Sequence, residues 1–141
     1  MEENEKRIEK AVSLFKSGFN CAQSVVAAFA DQYGFTEEQA LHMAASFGGG
    51  IGRMRMTCGA ACGLFMLAGL EKCALVQELA EEFRKRNGSL ICAELLGLKK
   101  PEITSVPDER TAQYYAKRPC PRMIEEAARI WVEHLEKKRA F

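Results

Sequence analysis

No Cys-x-x-Cys pair occurs in this sequence, although six of its 141 residues are cysteine. That absence excludes the thioredoxin-type active site, the zinc-ribbon knuckle and c-type haem attachment together. The thiol spacing is not that of a ferredoxin either. The one glycine-rich run follows no strand and matches neither G-x-G-x-x-G nor G-x-x-x-x-G-K, so both nucleotide-binding fingerprints are missing. No Ser-His-Asp or paired-carboxylate arrangement is legible, and the sequence does not decide whether the protein is an enzyme. No apolar run reaches the roughly 20 residues that cross a bilayer, and the first ten residues are charged from the second onward, unlike a secretory signal. Net charge is nearly absent. With 20 basic against 19 acidic residues, there is no broad electrostatic footprint for nucleic acid or anionic lipid. The expectation is a cytoplasmic protein with no nucleic-acid partner, no membrane insertion, an unidentified redox partner and room for a homo-oligomer. Cytosolic thiols are held reduced, which turns six cysteines toward metal binding or redox chemistry rather than structural disulfides.

Period-two alternation is also missing, and no Asn-Gly or Asp-Gly pair stands between strand-like runs. The fold class is therefore all-α: one compact domain over residues 1–141, a bundle of six or seven helices around a buried central one. That central helix is the sequence's most distinctive stretch. From Cys58 to Leu70 it carries no charge, and Cys58, Ala60, Ala61, Cys62, Leu64, Phe65, Leu67 and Ala68 cover every direction of the helix, which marks it as buried.

Around it, Ile8, Ala11, Val12, Leu14 and Phe15 repeat at helical spacing from Glu5 to Lys16. Asn20 with Gln23, and Thr36 with Gln39, have the form of capping boxes, opening helices over Cys21–Tyr33 and from Glu37 to about Phe47. A fifth helix is expected from about Glu71 to Asn87, a short sixth from Leu90 to Leu96 capped by Ser89, and a last one with Cys120 as N-cap and Pro121 at its first position. Between the last two, Lys99–Pro119 is rich in proline, with a helical turn or two expected over Asp108–Lys117 and a lid over Cys120 as its candidate role.

Four of the six thiols fall in an expected first helical turn: Cys21, Cys58, Cys92 and Cys120. Free N–H groups and the positive end of the helix dipole favour a thiolate there, and thiolates are the reactive and metal-binding form. Cys62, one turn inside, and Cys73, early in helix five, read as buried. Met54, Met56 and Met66 read as gap-filling core methionines. His42 and His134 each stand alone among charged neighbours and read as non-ligands. The wide spacing of the four thiols means that any shared site is assembled by tertiary packing.

The residues Gly18-Phe19-Asn20-Cys21-Ala22-Gln23, Phe47-Gly48-Gly49-Gly50-Ile51-Gly52-Arg53, Cys58-Gly59-Ala60 with Gly63, Cys92 before Glu94-Leu95-Leu96-Gly97, and Cys120 together resemble the C_GCAxxG_C_C family. That family, of about 140 residues, is named for its cysteines and a CGAxxG motif, and redox activity is attributed to it from those cysteines. The resemblance implies that the four family cysteines are Cys21, Cys58, Cys92 and Cys120, with Cys62 and Cys73 as additions.

Three functions remain open on these residues. The four thiolates ligate an iron–sulfur cluster or another metal for electron transfer, with Gly48, Gly49, Gly50 and Gly59 letting backbone approach the sulfur and Arg53 offsetting its charge. Alternatively, pairs such as Cys58 with Cys21 or Cys92 with Cys120 exchange between dithiol and disulfide without a cofactor. In the third, the chain is a helical interaction module whose cysteines are merely buried. Arg53 and Arg55 could also meet an anion beside the start of the central helix.

Overall fold

In a computed structural model, the structure describes residues 2–97, Arg110 and residues 119–140. The expectations for Lys99–Pro119, lid included, lie outside the described residues except at Arg110 and Pro119. Seven α-helices are described: α1 (Glu2–Lys16), α2 (Cys21–Phe29), α3 (Glu37–Ala44), α4 (Gly59–Glu71), α5 (Val76–Asn87), α6 (Cys92–Leu95) and α7 (Cys120–Ala140). The fold is compact and all-α. Among the described residues the only β pairing is an isolated antiparallel bridge, Thr57 with Ile91.

Both capping boxes form. Asn20 Oδ1 accepts from the Gln23 N–H at 2.8 Å while Gln23 Oε1 accepts from the Asn20 N–H at 2.9 Å. Thr36 and Gln39 repeat the exchange at 3.1 and 2.9 Å. Each box satisfies a pair of otherwise orphaned donors and so fixes where its helix starts. Past these starts the chain tightens: short 3₁₀ turns, Ala30–Tyr33 and Ala45–Phe47, finish what the sequence reads as continuous helix.

The central helix is α4. Gly59–Leu64, Leu67 and Ala68 are buried, and the helix packs against α2, α5 and α7. Gly59 and Gly63 are there for contact. A Cβ at Gly63 would stand 2.8 Å from Val25 Cβ and 3.1 Å from the Ala22 carbonyl, so α2 and α4 approach more closely than alanine permits. Trp131, Ile124, Ala127 and Ala128 of α7 and Phe83 and Leu79 of α5 complete the same core, with Phe15 and Ile8 of α1.

Five expectations are corrected. Helix five starts at Val76, because Lys72 turns extended after α4 and Cys73–Leu75 form a 3₁₀ turn. Cys73 is consequently exposed, not buried. Met54 and Met56, at 45 and 53 % exposure, are surface residues of the loop before α4 and fill no core gap. The last helix includes Cys120 as its first residue, and α6 begins at Cys92, two residues later than Ser89 capping would give. The Ser89 side chain instead accepts from the Ile91 N–H at 2.9 Å.

Candidate functional site

Each of the four family-type cysteines sits at a helix start. Cys21 opens α2, Cys58 is the residue before α4, Cys92 opens α6 and Cys120 opens α7. Two local devices aim them at one place. The Asn20 capping box fixes Cys21, and the short pairing around Thr57 and Ile91 fixes Cys58 and Cys92, since Cys58 N–H donates to the Leu90 carbonyl at 2.6 Å and Cys92 N–H to the Met56 carbonyl at 2.5 Å. All four thiols line a single cavity of about 520 Å³. Cys21, Cys58 and Cys92 are buried at 8, 6 and 8 % exposure, while Cys120 is half-buried. Cys62 and Cys73 do not line it. Cys62 instead donates its thiol to the Thr57 carbonyl at 3.8 Å.

The loop Gly48–Arg55 forms another wall. Its backbone is left-handed at Gly49, Gly50, Ile51, Gly52, Arg53 and Arg55. Three of these are non-glycine residues in a region that costs about 1–3 kcal/mol each, so the coil must be held by its own bonds. It is: Gly52 N–H reaches the Ser46 carbonyl, Arg53 N–H that of Gly48, Arg55 N–H that of Gly49 and Met56 N–H that of Gly50. Gly48, Gly49, Gly50, Arg53 and Gly59 all line the cavity. The space their missing side chains leave is taken by protein, however. A Cβ at Gly50 would meet Met56 N at 2.6 Å and Cys92 Cβ at 2.7 Å, one at Gly59 would meet Cys21 Cβ at 3.0 Å, and one at Gly48 would collide with the Asn20 side chain. These glycines let the thiol-bearing segments close on one another.

Electrostatics run against the simple helix-start expectation. Burial pushes the Cys58 thiol up to about 12, outweighing the Ala61 and Ala60 amides that pull the other way. The hydrogen bond to Cys120 holds Cys21 well above the ordinary thiol range; burial adds to it, and so does repulsion from charge on Cys120, Cys58 and Cys92. The proton thus stays on Cys21. At Cys58 desolvation wins because the site is nearly closed and the charged form loses its water. Positive charge is supplied by Arg55, itself buried, whose Nη1 donates to Cys92 Sγ at 3.8 Å. Arg53 and Arg110 also line the cavity. Arg110 donates to the Phe15 and Phe19 carbonyls at 3.3 and 3.2 Å and lies 4.6 Å over the Phe15 ring. Arg110 was not legible as a site residue, because nothing local in the sequence ties it to α1.

Among the described residues no group of three or more His, Cys, Asp or Glu side chains is arranged to hold a metal ion. The donor chemistry is that of a four-thiolate cluster site, but the positions do not converge as one.

The family model described as "Putative redox-active protein (C_GCAxxG_C_C)" matches residues 19–134. The chain belongs to that family. The match spans all four cavity cysteines and the glycine loop, from Phe19 beside the first thiol to His134 on α7. Comparison with curated proteins and with solved structures gave no match. Among the described residues no helix is long and apolar enough to cross a membrane.

Proposed function

We propose that this C_GCAxxG_C_C protein is a thiol–disulfide redox protein in which Cys21 and Cys120 interconvert between dithiol and disulfide. What carries the reading is the direct hydrogen bond between these two side chains across a cavity that four thiols share. Forming the bond removes two protons and two electrons, which pass to the oxidant. Exposure sets the order of events. Cys120, half-buried, is the sulfur that a reactant meets, and Cys21, buried behind it, resolves the mixed disulfide. Arg55 balances negative charge on Cys92 as the cavity ionises. In a compartment that keeps thiols reduced, such as the cytoplasm, the resting form is the dithiol.

A second reading keeps Cys21, Cys58, Cys92 and Cys120 as ligands of an iron–sulfur cluster, with Arg53 offsetting its charge. The shared cavity lining favours it, and such a cluster would supply one-electron transfer. It requires the four side chains to draw together from where they stand.

Free-thiol titration of anaerobically purified protein tests the choice. On the first reading one equivalent of a mild oxidant lowers the thiol count by two, dithiothreitol restores it, and Cys21→Ser or Cys120→Ser abolishes the change. Stoichiometric iron and sulfide with no thiol loss would select the second.

A further inference from the structure

Cys21, Cys58 and Cys120 stand at the starts of α2, α4 and α7, three helices that pack against one another. The far ends of the same three meet again at one carboxylate. Glu71, the last residue of α4, accepts from the Tyr33 hydroxyl at 2.7 Å and from Lys138 Nζ at 3.0 Å, and His134 Nε2 stands 3.6 Å from the oxygen that Lys138 holds. Tyr33 closes the turn that extends α2, and His134 and Lys138 belong to α7. The Glu71 side chain is only 11 % exposed. Burial opposes its charge, but the bonds from Tyr33 and Lys138 outweigh burial and hold the carboxyl below its usual range. Hydrogen bonds to a charged group are about twice as strong as neutral ones. None of these four residues lines the thiol cavity, so their effect on the thiols travels through the helices.

The three arms are nearly equal in length. Tyr33 follows Cys21 by twelve residues, Glu71 follows Cys58 by thirteen and His134 follows Cys120 by fourteen. At about 1.5 Å per residue each is a rod of about 20 Å, with a thiol at one end and the shared carboxylate at the other. A tilt of about 3° about the carboxylate end moves a thiol by about 1 Å. A disulfide needs its Cβ atoms about 3.5–4.5 Å apart, so a shift of that size spans the whole tolerance. We infer, on the thiol–disulfide reading, that Glu71 is a positioning residue for the Cys21–Cys120 pair: by tying Tyr33 to Lys138 and His134, it holds the starts of α2 and α7 at the separation from which the bond closes. Core packing holds the sides of these helices, and the carboxylate fixes their ends. Without it the ends are free to tilt, the effective concentration of one thiol at the other falls, and less disulfide forms at equilibrium.

Equilibration of the protein with mixtures of glutathione and glutathione disulfide tests this. Each Cys21–Cys120 bond formed passes two electrons and two protons to one glutathione disulfide, which leaves as two glutathione thiols, so the oxidised fraction after acid quenching gives the equilibrium constant. Glu71→Ala should lower that constant about fivefold. Destabilisation shared by the oxidised and reduced forms cancels in it, which separates positioning from a general loss of stability. Tyr33→Phe removes one arm and keeps the carboxylate; it should lower the constant about twofold, and it carries the test if Glu71→Ala does not fold. Arg86→Gln breaks another ion cluster, one that joins α5 to α7 through Glu126 and Glu133, and should leave the constant unchanged. A wild-type constant in folded Glu71→Ala, or in Tyr33→Phe where Glu71→Ala does not fold, would overturn the inference while leaving the thiol–disulfide reading intact. An equal shift in Arg86→Gln would do the same. If the wild type forms no Cys21–Cys120 bond at any glutathione ratio, both fall together.

Discussion

Arg55 directs its Nη1 at the Cys92 sulfur, 3.8 Å away, from a residue whose own backbone is left-handed at φ 61. The loop accepts that strain, and it is buried with the side chain, because the Arg55 N–H bonds the Gly49 carbonyl and the Arg55 carbonyl receives the Ala93 N–H. A guanidinium donor beside a sulfur is the arrangement that holds a thiolate. Arg55→Gln should therefore slow alkylation of Cys92 by iodoacetamide several-fold at neutral pH, with helix content by circular dichroism near wild type. An unchanged Cys92 rate in a folded variant would remove Arg55 from the site's chemistry.

Stability should fall as the solution becomes alkaline. An unfolded cysteine loses its proton near about 8.5, whereas folded Cys58 holds its proton up to about 12, with Cys62 raised to about 11 by burial and Cys21 raised as well. Between those limits the folded state binds more protons than the unfolded one, so the unfolding free energy declines with rising pH. Below about 8 these groups are neutral in both states and the dependence vanishes. For Cys58 alone the loss across the window is on the order of 4 kcal/mol. Urea midpoints at several pH values, compared with Cys58→Ala, measure it; wild type and variant falling in parallel would contradict the assignment.

Three glycines of α4 should respond differently to the same substitution. Gly63→Ala drives a Cβ into Val25 and the Ala22 carbonyl and should destabilise by about 1–3 kcal/mol. Gly69→Ala meets nothing within 4 Å and should stabilise by roughly 0.5–1 kcal/mol through helix propensity. Gly59→Ala presses on Cys21 Cβ and the Phe47 carbonyl, and should both destabilise and slow oxidation of the Cys21–Cys120 pair. Thermal melts and thiol-loss rates separate these outcomes.

Closing the Cys21–Cys120 bond ties together a loop of roughly 100 residues, for which chain entropy gives about 4–5 kcal/mol of stabilisation. The oxidised protein should melt about 15 °C above the reduced one. Cys21→Ser should show no such difference between oxidising and reducing conditions. Equal melting temperatures for the two wild-type forms would mean that the bond forms under strain or joins other residues.

Much of this was readable because the signals are local. Asn20 with Gln23 and Thr36 with Gln39 announce helix starts within four residues, so the placement of Cys21 at a helix N-terminus follows from adjacent sequence. The uncharged run after Cys58 likewise shows a helix buried on nearly every side. What depends on distant packing was not legible. Helix starts alone predict lowered cysteine pKa values, yet burial by α4 and its neighbours reverses the sign at Cys58, and contact with a residue on α7 reverses it at Cys21. The left-handed backbone of Ile51, Arg53 and Arg55 has no residue signature, since glycine alone advertises that conformation. Cys73 was misplaced because an extended Lys72 ended one helix before the next began.

The most direct test is to map the bond itself. The reduced protein is oxidised mildly under anaerobic conditions, its remaining thiols are blocked, and the peptides are identified by mass spectrometry. The predicted product is an intramolecular Cys21–Cys120 disulfide, with Cys58, Cys62, Cys73 and Cys92 recovered in blocked form. A disulfide joining any other pair, or a protein that retains all its thiols while carrying stoichiometric iron and sulfide, would contradict it.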